Sequence, residues 1–129
     1  MKYLLDTHAL LWSLTDPARL GSEARELITA RASQLVVSAV SAWEIATKLR
    51  LGKLPQADVL VGAYSRHLDR LGVERLPITE EHALLAGTLG WDHRDPFDRM
   101  LAAQAMVESM GLISHDRVFG ELAGVAVRW

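Results

Sequence analysis

Three short, mostly apolar runs, Tyr3-Leu4-Leu5, Leu35-Val36-Val37 and Leu112-Ile113-Ser114, stand at wide intervals along the chain. The first two lead into segments with helical spacing, and the third leads into a turn of helix near Val118. Runs this short suit strands covered on both faces, and strand–helix alternation is the sequence form of a parallel sheet. Between these runs the punctuation is explicit. Ala9 to Leu14 reads as helix, Asp16-Pro17 interrupts, and Ser22 to Ala32 reads as a surface helix capped by Ser22. A helix from Ala39 to Leu51 stops at Gly52, and an amphipathic helix from Ala57 to Leu71 is closed by Gly72. Val73 to Ile78 is strand-like, but Pro77 places it at an edge or a strand end. Thr79 to Leu89 is helical up to Gly90, and Asp95-Pro96 opens the longest helix, running to Met110 before Gly111. Val125-Ala126-Val127 is a last strand. The reading is α/β: a three-layer α/β/α domain with a central parallel sheet of about five strands, right-handed crossovers placing helices on both faces.

A chain of 129 residues can bury a core by itself. Half of it is hydrophobic and 23% is charged, a folded rather than a disordered profile. It carries no repeat, low-complexity tract or linker, so residues 1–129 read as a single domain. The absence of cysteine excludes disulfides, thiolate zinc sites and cysteine nucleophiles, and it agrees with a cytoplasmic location. Asp6 and His8 break the first apolar run, which is too short and polar for a signal peptide or a membrane span. A formal charge of -2 excludes a generally basic nucleic-acid binder, so any such contact must be local and aided by a cation. Four tryptophans leave room for a partner surface, as well as for a well-filled core.

The acids fall at telling places. Asp6 follows the first strand, Glu44 lies early in the helix after the second, and Asp116 follows the fourth. Asp95 and Asp98 start the longest helix. In a parallel sheet, strand carboxyl ends and the following helix starts share one edge, where open α/β folds bind ligands. Taken singly, each acid has a structural account. Asp6, Asp95 and Asp116 suit helix caps, Ser41-Ala42-Trp43-Glu44 suits a capping box, and the helix dipole favours Asp98. Taken together, carboxylates crowded at one edge repel, and a divalent cation removes the conflict. Oxygen-only ligands suit Mg²⁺ or Mn²⁺. Such a site can activate water and stabilise charge on a phosphoryl oxygen, which suits phosphodiester hydrolysis.

Four blocks also resemble one family. Leu4-Leu5-Asp6-Thr7-His8-Ala9-Leu10-Leu11-Trp12 resembles the opening of PIN-domain proteins, particularly VapC-type toxins of bacterial toxin–antitoxin pairs. Ser38 to Ile45, His93 to Ala105 and Leu112 to Asp116 are similar to the motifs that follow, in order and across nearly the whole chain. The resemblance implies a metal-dependent endoribonuclease in which Asp6, Glu44, Asp98 and Asp116 hold Mg²⁺ or Mn²⁺. Asp95 would be an accessory at most, and Thr7 and Ser114 would orient carboxylates or water. It further implies an RNA substrate, a homodimer and a small cognate antitoxin protein; the sequence itself offers no membrane span, so no membrane association is expected.

Other residues admit two readings each. Arg94, Arg99 and Arg117 adjoin the acids and could grip RNA phosphates, though ion pairing suits them as well. Lys48 has the spacing of a helix-surface pair with Glu44. His8, His93 and His115 lack compact metal-binding spacing and read as bystanders. Trp12 with Leu10, Leu11 and Leu14 suits an antitoxin groove or burial against the sheet. A phosphorelay receiver is set aside because no lysine follows Lys53. A phosphoaspartyl hydrolase is set aside because His8 stands where a second aspartate belongs, and no glycine-rich phosphate loop is present. The rivals that stay open are a non-catalytic RNA-binding or dimerisation module and a DNA-directed nuclease.

Overall fold

The computed structural model describes residues 1–54 and 57–129. Among these, β1 (Lys2–Leu5), β2 (Gln34–Ser38), β3 (Glu74–Leu76), β4 (Gly111–Ile113) and β5 (Val127–Arg128) form one parallel sheet. Their order is β3-β2-β1-β4-β5. The three most apolar strands, β2, β1 and β4, take the middle, and β3, followed by Pro77, takes an edge. That is where a residue without a backbone N–H is tolerated.

The strand pleat divides the core into two layers. Tyr3, Leu5, Leu35, Val37 and Ile113 face one side, where α1 (Thr7–Thr15), α2 (Ser22–Thr29), α4 (Ala57–Gly62) and α5 (Tyr64–Leu71) contribute Leu10, Ala24, Leu60 and Leu68. Leu4, Val36 and Leu112 face the other, against Leu101, Ala102 and Ala105 of α7 (Pro96–Val107). α6 (Glu80–Thr88) packs on α7. α3 (Ala39–Arg50) joins both layers, with Val40 in one cluster and Ile45 in the other. Small alanines at 102 and 105 are fully buried in the layer that α7 forms with the sheet. The three-layer α/β/α reading therefore holds. Among the described residues no helix is long and apolar enough to cross a membrane.

Local readings gave way where tertiary contacts compete. Ser22 is not a cap. The N-cap is Gly21, where Trp129 fills the space a Cβ would need, with atoms only 2.6 Å from it, so a capping side chain is excluded at that position. Ser41 does not form a capping box with Glu44 either. Ser38 caps α3 through Val40 N–H, while Ser41 is buried against Thr7. The segment from Ala57 to Leu71 is two helices broken at Ala63, just after Gly62. Leu60 and Leu68, one from each helix, both enter the same core cluster. The ends of α2, α7 and the last two strands each move by a few residues relative to the periodicity. Val125 is buried in a loop, and pairing with β4 begins at Val127.

The Gly21 contact gives a direct test. Gly21→Ala should cost about 1–3 kcal/mol, the usual cost of overpacking. Thermal melting of Gly21→Ala, Trp129→Ala and the double variant checks it. The two effects should be markedly non-additive, because Trp129→Ala removes part of the obstacle; additive losses would show that the two residues do not compete for space.

Candidate active site

The sheet's parallel register assembles the site. Asp6 N–H donates to the Ile113 carbonyl at 3.0 Å, which sets the carboxyl end of β1 beside that of β4. Asp6 then caps α1, its Oδ1 accepting from Ala9 N–H at 2.8 Å. Asp116 follows β4 and caps a short helical turn, accepting from Val118 N–H at 3.0 Å, while its own N–H donates to Ser114 Oγ at 3.0 Å. Asp95 caps α7 by accepting from Phe97 and Asp98 N–H at 2.8 and 3.2 Å. So the three capping readings describe real contacts, and the caps also place these acids at one edge.

Glu44 differs: it lies on α3, is almost wholly buried, and caps nothing. Thr7 Oγ1 donates to its Oε1 at 2.5 Å, and Lys48 Nζ pairs with its Oε2. Asp6, Glu44, Asp98, Asp116 and Asp95 line one cleft of about 730 Å³, together with Thr7, Lys48 and Arg117. Ser114 is buried beside Asp6.

The electrostatics show how closely the acids crowd. Asp6 is pushed up to about 6, first by burial, with Glu44 and Asp116 adding to the rise; Ser114 and Ala9 N–H hold it down. Asp98 is also pushed up to about 6, first by burial, with Asp95 and Glu44 adding; His93 opposes. Glu44 thus repels both Asp6 and Asp98, and one field links all five carboxylates.

Two neighbours of Asp98 lay beyond the reach of sequence. His93, read as a bystander, sits with Nε2 2.7 Å from Asp98 Oδ2. His93, Asp95 and Asp98 each offer a ligand atom, all within 4.8 Å of one another. Arg99 neither pairs with an acid among the described residues nor faces the cleft. Its guanidinium donates to the carbonyls of Ala86, Leu89 and Trp91 at 2.8 Å and of His93 at 3.0 Å. It thereby holds the loop that presents His93. The only hint was that His93 and Arg99 bracket Asp98 in sequence. Gln104 is buried in α7 and donates to the Pro77 carbonyl at 3.3 Å, away from the cleft residues.

The donor set fits a hard divalent cation: oxygen ligands, more negative charge than the cleft's cations offset, and two carboxyls whose ionisation is opposed. His93 adds a nitrogen donor suited to Mn²⁺.

An acid-lined cleft at the carboxyl edge of a parallel α/β sheet is what the fold and its side chains define. The PIN domain family matches residues 3–125, and the chain belongs to that family, the family of nucleases whose motifs its four blocks resemble. No curated protein matches the chain in sequence. Solved structures share its fold at low identity. VapBC2 from Rickettsia felis bound to a DNA fragment from its promoter aligns with a TM-score of 0.70 at 14% identity, covering 99% of this chain and 98% of that one. A toxin–antitoxin complex from Klebsiella pneumoniae aligns at 0.63 and 16%, covering 96% and 95%. FitAcB from Neisseria gonorrhoeae aligns at 0.64 and 24%, covering 97% and 95%.

Two tests follow from this geometry. The raised carboxyls bind protons more tightly in the folded chain than in the unfolded one, so stability falls as pH rises from about 4 to about 6. Asp98→Asn should flatten that fall and raise the metal-free melting temperature by a few degrees, about 1–2 kcal/mol. A lower melting point across this range would show that the crowding is relieved some other way. Arg99→Lys should cost about 1–3 kcal/mol, because an ammonium cannot span four separated carbonyls. Faster amide exchange confined to residues 89–93 would accompany that loss.

Proposed function

We propose that the protein is a Mg²⁺-dependent endoribonuclease, active also with Mn²⁺, and the toxin of a toxin–antitoxin pair. The observation that carries the reading is the convergence of Asp6, Glu44, Asp98 and Asp116, from four separate segments, on one cleft of a PIN-family chain. These four acids would hold the cation, with Asp95 an accessory. When bound, the cation would supply charge stabilisation on the phosphoryl oxygen and lower the pKa of a water. Thr7 holds Glu44 in one orientation, and Ser114 sits beside Asp6, so the carboxylates are set before substrate arrives. The water oxygen bonds to phosphorus, the bond from phosphorus to the 3′-oxygen breaks, and that oxygen leaves with a proton. The products are a 5′-phosphate and a 3′-hydroxyl.

A single domain spanning 1–129, working in the cytoplasm, is the simplest frame for this activity. A small antitoxin is the proposed partner because the similar structures include a toxin–antitoxin complex. A homodimer is proposed from the exposed apolar side chains Trp43, Val59, Ile78 and Leu84.

The deciding experiment is cleavage of mixed structured RNAs by purified protein in Mg²⁺, Mn²⁺ or chelator. An Asp6→Asn variant prepared identically serves as the contamination control. Metal-dependent cutting by the natural chain, at least a hundredfold above the variant on the scale of a lost electrostatic contact, is the expected result. Ends bearing 2′,3′-cyclic phosphate would instead signal attack by the ribose hydroxyl and sink the mechanism. Cutting of DNA alone would favour the DNA-directed nuclease. Binding without cutting would favour the non-catalytic module.

A further inference from the structure

The cleft is much larger than a cation requires. A bound water occupies about 30 Å³, so even a hydrated ion leaves most of the 730 Å³ unassigned. One wall of the cleft is aromatic. Trp12 lines the cleft with His8 and His115. Its ring lies 5.6 Å from the His8 ring and 6.1 Å from the His115 ring. Trp129 stands behind, 5.6 Å from Trp12 and 5.3 Å from His115, and it is fixed in turn by its contact with Gly21. The Arg19 guanidinium lies over the Trp12 ring at 5.1 Å. His8 and His115 are exposed, and Trp12 is only partly covered.

These rings arise on two elements whose starts bear acids. His8 and Trp12 lie four apart on α1, which Asp6 caps, and His115 directly precedes Asp116. The wall and the acids are therefore built from the same turns. A nucleic acid at this cleft meets a row of carboxylates and few cations, so backbone contacts alone are a weak source of affinity. Aromatic faces act on the bases instead, tolerate any sequence, and require the base to be unpaired. Ordered rings at the mouth of an acidic cleft answer that need.

We propose that Trp12, flanked by His8 and His115, is a stacking platform for an unpaired nucleobase next to the phosphate at the acids. The inference rests on the nuclease reading for its choice of ligand. It assigns Trp12 as the residue that holds a base beside the acids.

The test measures binding, in Mg²⁺, of short oligonucleotides to the Asp6→Asn chain, with and without Trp12→Ala. The probes are a single-stranded RNA, a DNA of the same sequence, an RNA duplex, and an abasic strand of equal length. Trp12→Ala should weaken single-strand binding roughly 5- to 150-fold, the range for one lost stacking contact, and the loss should persist at high salt. The duplex and abasic strand should bind weakly to both proteins. Trp12→Phe should restore most of the affinity, because it keeps a π-face. His115→Ala, at an exposed position, supplies a second reading should Trp12→Ala fail to fold; it too should weaken single-strand binding. RNA and DNA affected alike would support the platform and place the choice of sugar elsewhere in the cleft. Equal binding of abasic and natural strands, or affinity unchanged in both ring variants, would overturn the platform and leave the rings to a protein partner. Base-dependent binding with no cleavage by the natural chain would overturn the nuclease and leave the platform. Cleavage with base-independent binding would do the reverse.

Discussion

The hydrogen bond from Asp6 N–H to the Ile113 carbonyl closes the register between β1 and β4 at the carboxyl end of both strands. Most of the candidate site hangs on that register. It puts Asp6 beside Ser114, sets Asp116 one turn away, and fixes the start of α1, from which Thr7 reaches Glu44. A slip of one residue would reverse every side chain of β1 between the two core layers. Leu4 belongs to one layer and Tyr3 and Leu5 to the other, so the apolar packing that stabilises the fold also fixes the acids.

Burial and charge oppose each other at this edge. The same packing that positions Asp6 withdraws it from water, and Glu44 adds repulsion from the neighbouring helix. Lys48 offsets part of that charge from inside the cleft, pairing with the central acid of the five. What is left is a site whose apo form carries an electrostatic cost and whose charge suits a cation. The formal charge of the whole chain, -2, gives no hint of this concentration.

The strands and the approximate places of the acids were legible because both depend on short-range rules: apolar runs, and carboxylates at strand ends and helix starts. What escaped was decided by contacts between distant residues. Ser22 obeys the local capping rule, yet the cap falls on Gly21, whose surroundings are set by Trp129 from the far end of the sequence. Ser41 has the spacing of a capping box, but Thr7 takes both it and Glu44. His93 stands in a loop without periodicity, so only its nearness in sequence hints at its approach to Asp98. Arg99 looked like a surface cation next to an acid, and its role depends on four carbonyls that only the folded loop gathers.

That last residue shapes how the cleft can move. Residues 89–93 have no regular structure, yet carbonyls at 89, 91 and 93 are held by a side chain rooted in α7. The same helix carries Asp98 and is capped by Asp95. Loop, histidine and two acids therefore travel as one stiff plate. The opposite wall is held by other means: Asp116 is tied to Ser114 and Val118 within its turn, and Trp129 packs on Trp12 and His115. The two jaws of the vice are thus clamped differently, one by hydrogen bonds to a single guanidinium and the other by packed rings.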